Sequence, residues 1–130
     1  MPKSAKILSA IFMNKPFEKI IEKIKKFRDY RDWKQFHNPK DMAEAIVIEA
    51  AELLELFLWK SKKESEEFMK NKKNREEFAD ELADIAWFVL ELADTYGIDI
   101  EKAIEKKLAK NAKKYPVEKS KGKAIKYTKL

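Results

Sequence analysis

Apolar residues at three- and four-residue spacing run through long stretches that neither glycine nor proline interrupts, a pattern that packed helices satisfy and strands do not. With two glycines and four prolines in 130 residues, the chain lacks the punctuation of a turn-rich sheet. Phe17, Ile20, Ile21, Ile24 and Phe27 share one face of a first helix predicted over about 17–36 and ended by His37-Asn38-Pro39. Asp41 is placed to cap a second helix over about 42–59, apolar on nearly every side and therefore expected to be central and buried. The polar stretch 60–73 reads as an exposed connector with room for a partial helix. A third helix over about 75–96 closes on Gly97, and Asp99 caps a fourth over 100–114, which Pro116 stops. The expected fold is all-α, a four-helix bundle completed by oligomerisation, with residues 17–115 as the helical domain, 1–16 as an extension and 116–130 as a basic tail. That tail holds too few apolar side chains to be expected to pack as a regular element.

The absence of cysteine removes disulfides, zinc–thiolate sites and thiol nucleophiles together, and makes the cytoplasm the expected compartment. No apolar run approaches the roughly 20 residues that span a bilayer, so a membrane is not an expected partner. The first residues are too broken by lysine and proline to read as a signal peptide. The net charge of +6 is concentrated at one end, where residues 99–130 carry eleven lysines against four acids. Charge of that kind attracts RNA, acidic lipid or polyphosphate without choosing among them.

Four acids fall where solvated acids do not belong. On the second helix Glu49 shares its face with Met42, Ala45, Ile46, Leu53 and Leu56, and Glu52 follows three residues on, between Ala45 and Trp59. On the third, Glu81 lies with Phe78, Ile85, Phe88 and Leu92, and Asp84 follows at the same spacing. One such pair is common in Lys/Glu-rich helices and marks a wet edge; two pairs on apolar faces need cations, because an unpaired buried carboxylate costs several kcal/mol. Neither lysine nor arginine occurs on those faces. Oxygen ligands alone suit a hard divalent ion, Mg²⁺ or Mn²⁺ as its substitute, whereas a di-iron bundle needs two Glu-x-x-His pairs and this chain has the single His37. Mg²⁺ shares its sphere readily with phosphate oxygens, so the expected substrate carries phosphates.

The paired acids, Glu49-Ala50-Ala51-Glu52 and Glu81-Leu82-Ala83-Asp84, stand 28 residues apart. Together with RDWKQFHNPKD before the second helix, Trp59-Lys60 after it, KKLAKNAKKYP in the fourth helix and KYTKL near the end, they resemble the MazG-like all-α nucleotide pyrophosphatases, most closely the dCTP pyrophosphatase branch. The likeness covers about residues 17–130. Ile48 stands where MazG itself tends to double the first glutamate, and Phe88 stands where a tyrosine is expected, so a hydroxyl contact there is not carried over.

The resemblance implies that Glu49, Glu52, Glu81 and Asp84 are both metal ligands and the catalytic set, holding Mg²⁺ against a (deoxy)nucleoside triphosphate that is split into monophosphate and pyrophosphate. A pyrimidine nucleotide such as dCTP, or a modified dNTP, is the implied substrate, and a homodimer or homotetramer the implied assembly. One carboxylate, with Glu52 as a candidate, orients or deprotonates the attacking water. Lys107 and Asn111, one helical turn apart, are expected to reach phosphate or sugar oxygens, with Tyr115 closing the same wall. Lys123, Lys126 and Tyr127 are expected to fold over the phosphates. Trp33, His37 and Trp59 are candidates for contact with the base, while Trp87 is assigned to packing. A rival reading, a non-enzymatic helical RNA-binding or protein-interaction module using the basic tail, leaves the acids on apolar faces unexplained.

Overall fold

The computed structural model describes residues 17–130, so the expectation for 1–16 lies outside it. Every regular element among the described residues is helical: α1 (Glu18–Tyr30), α2 (Pro39–Glu55), α3 (Lys62–Phe68), α4 (Lys72–Thr95), α5 (Ile100–Lys114) and α6 (Val117–Ser120), with 3₁₀ turns at Lys34–Phe36 and Tyr127–Lys129. They fall into two compact units, one ending at Thr95 and the other running from Tyr96 to Leu130. None of the described helices is long and apolar enough to cross a membrane.

In the first unit α2 packs chiefly against α4, which also receives α1. Ile24, Met42 and Ala93 are the buried apolar residues. Around them aromatic rings meet edge to face: Phe27 with Trp87 at 5.0 Å between centroids and with Trp33 at 5.8 Å. The first helix ends earlier than its apolar spacing predicts, because Asp32 takes φ +53° and turns the chain into the 3₁₀ segment. The cap of α2 is Asn38 rather than Asp41. Its Oδ1 accepts from the Asp41 backbone N–H at 3.0 Å, with Pro39 in the first turn, where its missing N–H is harmless. At its other end α2 stops at Glu55 instead of Trp59, which sits at φ +61°.

The connector 60–73 is exposed and helical in part: it contains α3, started by a capping box between Ser61 and Glu64 and docked by Phe68 against Phe57 at 5.2 Å. One further expectation is corrected, since α2 is not enclosed: Val47, Ile48, Leu54 and Leu58 are exposed, because its neighbours among the described residues cover one side only.

Near the start of the second unit, Gly97 has φ +64° and Asp99 accepts from Lys102 N–H at 3.1 Å, as expected of a helix stop followed by a cap. Beyond Tyr115 the tail is more ordered than its composition predicts. Ser120 Oγ bonds the Pro116 carbonyl at 2.8 Å, and Tyr127 meets the edge of Tyr115 at 5.9 Å.

The α2 cap sets the helical register that carries Glu49 and Glu52. Asn38→Ala therefore lowers stability by about 1 kcal/mol in urea unfolding, whereas Asn38→Ser, which keeps a cap acceptor without setting a second carboxylate against the Asp41 Oδ2 that Asn38 Nδ2 meets at 2.7 Å, loses less.

Candidate functional site

Of the four acids expected to converge, Glu49, Glu52 and Glu81 do so, and Asp84 stands outside their group. Glu49 and Glu52 from α2 and Glu81 from α4 each offer a carboxylate oxygen, and the three oxygens lie within 4.8 Å of one another. Glu49 and Glu81 are half-buried and Glu52 is exposed. Among the described residues, the buried side-chain oxygens without a hydrogen-bond partner are Glu49 Oε2 and Glu81 Oε2. A buried acceptor left without a donor loses its hydration with no return, and a cation is a partner that would satisfy both atoms.

The electrostatics agree. Burial, and then the Glu52, Asp84 and Glu81 charges, push the Glu49 carboxyl up to about 7. Burial, followed by the charges of Glu52, Asp84 and Asp80, raises Glu81 as well. Like charges this close oppose one another's ionisation, and a divalent ion reverses that balance. An oxygen-only donor set with two unpartnered buried atoms fits Mg²⁺ or Mn²⁺.

Asp84, three residues after Glu81 on α4, stands outside that trio. It lines, with Glu49, a cavity of about 260 Å³ whose remaining walls are Phe27, Trp33, His37, Trp87 and Phe88. Two acids thus stand at the edge of a mostly aromatic space, which is smaller than the roughly 300–1,000 Å³ of drug-sized pockets and suits a single ring system. Trp33 and His37 are brought to this space, as expected of them. Trp59 is not among its walls and is 93% exposed. Trp87 does more than pack: its ring lines the cavity and its Nε1–H donates to Glu91 Oε2 at 3.2 Å.

The remaining expected contacts, Lys107, Asn111, Tyr115, Lys123, Lys126 and Tyr127, all belong to the second unit. Asn111 and Tyr115 are half-buried within it; Lys107, Lys123 and Lys126 are exposed. The Lys114 ammonium lies 4.7 Å from the Tyr127 ring centroid, a cation–π contact that holds the tyrosine near α5.

Glu91 and Arg28 escaped the sequence reading. Glu91, with a side chain 1% exposed, accepts from Arg28 Nη1 at 3.2 Å and bonds His37 Nδ1 at 2.6 Å. Asp29 and then Glu91 hold the Arg28 guanidinium above its ordinary value, against the effect of burial. A signal existed: Glu91 follows Asp84 by seven residues and so shares its helical face, the rule that found the other acids. Its cation comes from α1, outside the two faces compared.

Long opposed helices carrying paired acids beside an aromatic cavity define an all-α protein with a candidate cation and ring-binding site. Residues 45–130 match the model of the MazG-like family, and the chain belongs to that family. Over 104 residues, 80% of this chain, it is 38% identical to dCTP pyrophosphatase 1 of Rattus norvegicus and 32% identical to the Homo sapiens protein of that name. The matched stretch spans 61% of the length of each of those relatives. A crystal structure of a pyrophosphatase from Archaeoglobus fulgidus aligns with a TM-score of 0.72 at 39% identity, covering 77% of this chain and 92% of that one.

A carboxyl that binds its proton more tightly when folded stabilises the fold while protonated, and that contribution is lost as pH rises from the ordinary 4.5 through about 7. The metal-free protein therefore melts at a lower temperature at about pH 8 than at about pH 5 insofar as Glu49 controls it, and Glu49→Gln flattens the profile. Added Mg²⁺ raises the melting temperature more at the higher pH, which differential scanning fluorimetry reads.

Proposed function

We propose that this protein is a Mg²⁺-dependent nucleoside triphosphate pyrophosphohydrolase, releasing a nucleoside monophosphate and pyrophosphate. The observation that carries the reading is the pair of unpartnered buried oxygens, Glu49 Oε2 and Glu81 Oε2, on opposed helices beside a ring-sized aromatic cavity. The dCTP pyrophosphatase and pyrophosphatase names of its relatives support it, and favour a pyrimidine deoxynucleotide such as dCTP, or a modified dNTP, as substrate.

Glu49, Glu52, Glu81 and Asp84 would hold the ion. When bound, Mg²⁺ supplies positive charge to the triphosphate and makes water more acidic. The chain's own groups do the rest. Trp33, Trp87 and Phe88 offer faces on which a base stacks. Water adds at the α-phosphorus, the bond from that phosphorus to the bridging oxygen breaks, and pyrophosphate leaves with the electron pair. Glu52, the acid of the trio most open to solvent, is placed to take the proton of the attacking water. Lys107, Asn111, Tyr115, Lys123, Lys126 and Tyr127 are assigned to phosphate and sugar, and Trp59 to the base, on the strength of the family pattern. An RNA-binding or protein-interaction role gives the two unpartnered oxygens nothing to do.

We assign the working assembly as a homodimer or homotetramer. Val47 and Leu54 on α2 are 67% and 71% exposed, and apolar surface of this kind is what a second copy covers. Light scattering at micromolar concentration should give at least twice the mass of the 15.4 kDa chain; a monomer would refute the assignment.

Glu81→Gln removes one metal-facing charge while preserving shape. Incubated with Mg²⁺ and each nucleoside triphosphate, the wild type yields monophosphate and pyrophosphate by chromatography. The variant loses at least about a hundredfold in turnover with its helical circular dichroism intact. Wild-type turnover by Glu81→Gln, or diphosphate and phosphate as products, would overturn the reading.

A further inference from the structure

Glu91 is a buried carboxylate that no metal needs to explain. Its Oε1 faces Arg28 Nη1 at 3.2 Å and His37 Nδ1 at 2.6 Å, and its Oε2 faces Trp87 Nε1 at 3.2 Å. Arg28 and Trp87 possess only donors, so both oxygens are acceptors, and the imidazole must carry its hydrogen on Nδ1 to join them. With Nδ1 committed, Nε2 is the one polar atom that His37 has left to offer. His37 and Trp87 both line the aromatic cavity, while Glu91 and Arg28 stand behind them at 1% and 5% side-chain exposure.

We infer that Glu91 is a positioning residue for base recognition: it holds His37 in the Nδ1–H form, so that Nε2 reads the edge of a base stacked in the cavity, and it fixes the Trp87 ring that the base stacks on. This rests on the nucleotide pyrophosphatase reading and refines it. In the neutral ring Nε2 accepts, so the bases it selects are those offering an amino N–H at that edge, as cytosine and adenine do, over those offering a carbonyl, as thymine and uracil do. Arg28 makes the arrangement possible, since a carboxylate buried among two neutral rings without a cation would not be held there. Glutamine cannot replace Glu91. Its amide has one acceptor end and one donor end, and the donor end meets either Trp87 Nε1–H or the Arg28 and His37 N–H groups.

His37 is the only histidine in the chain, so its imidazole nitrogens can be observed without assignment ambiguity. Long-range ¹H–¹⁵N spectra of the full-length wild type at about pH 8, above the ordinary histidine range, should show Nδ1 protonated and Nε2 bare. A ring protonated on Nε2 instead would overturn the inference. In steady-state assays with Mg²⁺ and the four dNTPs, Glu91→Gln should raise KM for the preferred nucleotide about tenfold and flatten the preference among bases, with kcat changing far less. His37→Ala should flatten it likewise, and the loss of base preference in the double variant should be no greater than in His37→Ala alone, because that discrimination runs through the imidazole, while any further rise in KM comes through Trp87. Unchanged base preference in Glu91→Gln, or additive losses of base preference in the double variant, would overturn the positioning role while leaving the pyrophosphatase reading intact. A wild type that hydrolyses no nucleotide would overturn both. Should Glu91→Gln fail to fold, the wild-type imidazole spectrum and the base preference of His37→Ala decide the matter, and the absence of either expected result counts against it.

Discussion

The rest of this structure depends on the mutual repulsion of carboxylates placed between α2 and α4. These two helices form the principal helix–helix contact of the first unit, yet part of it is given to Glu49 and Glu81 oxygens that no donor meets. A leucine or methionine at either position would pack there at no electrostatic cost. Retaining acids opposes folding, and burial with neighbouring charge drives the Glu49 carboxyl toward 7. Under the proposed function, a divalent cation seated among these oxygens would reverse that balance. Stability and function therefore pull against each other at one interface.

Helix α4 carries the contrasting case one face-repeat further on. Glu91 is more deeply buried than Glu49 or Glu81, and every donor it needs comes from the protein: a guanidinium from α1, an imidazole from the turn before α2, an indole from its own helix. A carboxylate so supplied is structural in its energetics, even where the groups it orients face a cavity. The comparison separates two kinds of buried acid by counting partners rather than by depth.

Around these polar centres the apolar packing is thin. Ile24, Met42 and Ala93 are buried, while Val47, Ile48, Leu54 and Leu58 stay in water. Phe27, Trp33, Trp87 and Phe88 meet near the cavity, so the rings that line it are also among the rings that hold α1 to α4. Four of the chain's fifteen aromatic residues line that one space, while apolar side chains along one face of α2 remain exposed.

The sequence by itself determined the helical character, the helix stop at Gly97, the cap at Asp99 and the pairing of Glu49 with Glu52 and of Glu81 with Asp84 on single helix faces, because all of these follow from periodicity and local backbone chemistry. It missed the early end of α1, where Asp32 takes a left-handed conformation that its residue type permits without demanding. It left α3 as no more than a partial helix, because a polar surface disguised the capping box and the Phe68 anchor. Only the tertiary structure decided that α1 delivers Arg28 to Glu91, that Trp33 and His37 reach the cavity while Trp59 does not, and that one side of α2 is left bare. A spacing rule reports which residues share a face of one helix. Which other element meets that face depends on packing among segments distant in the chain, and no local pattern encodes it.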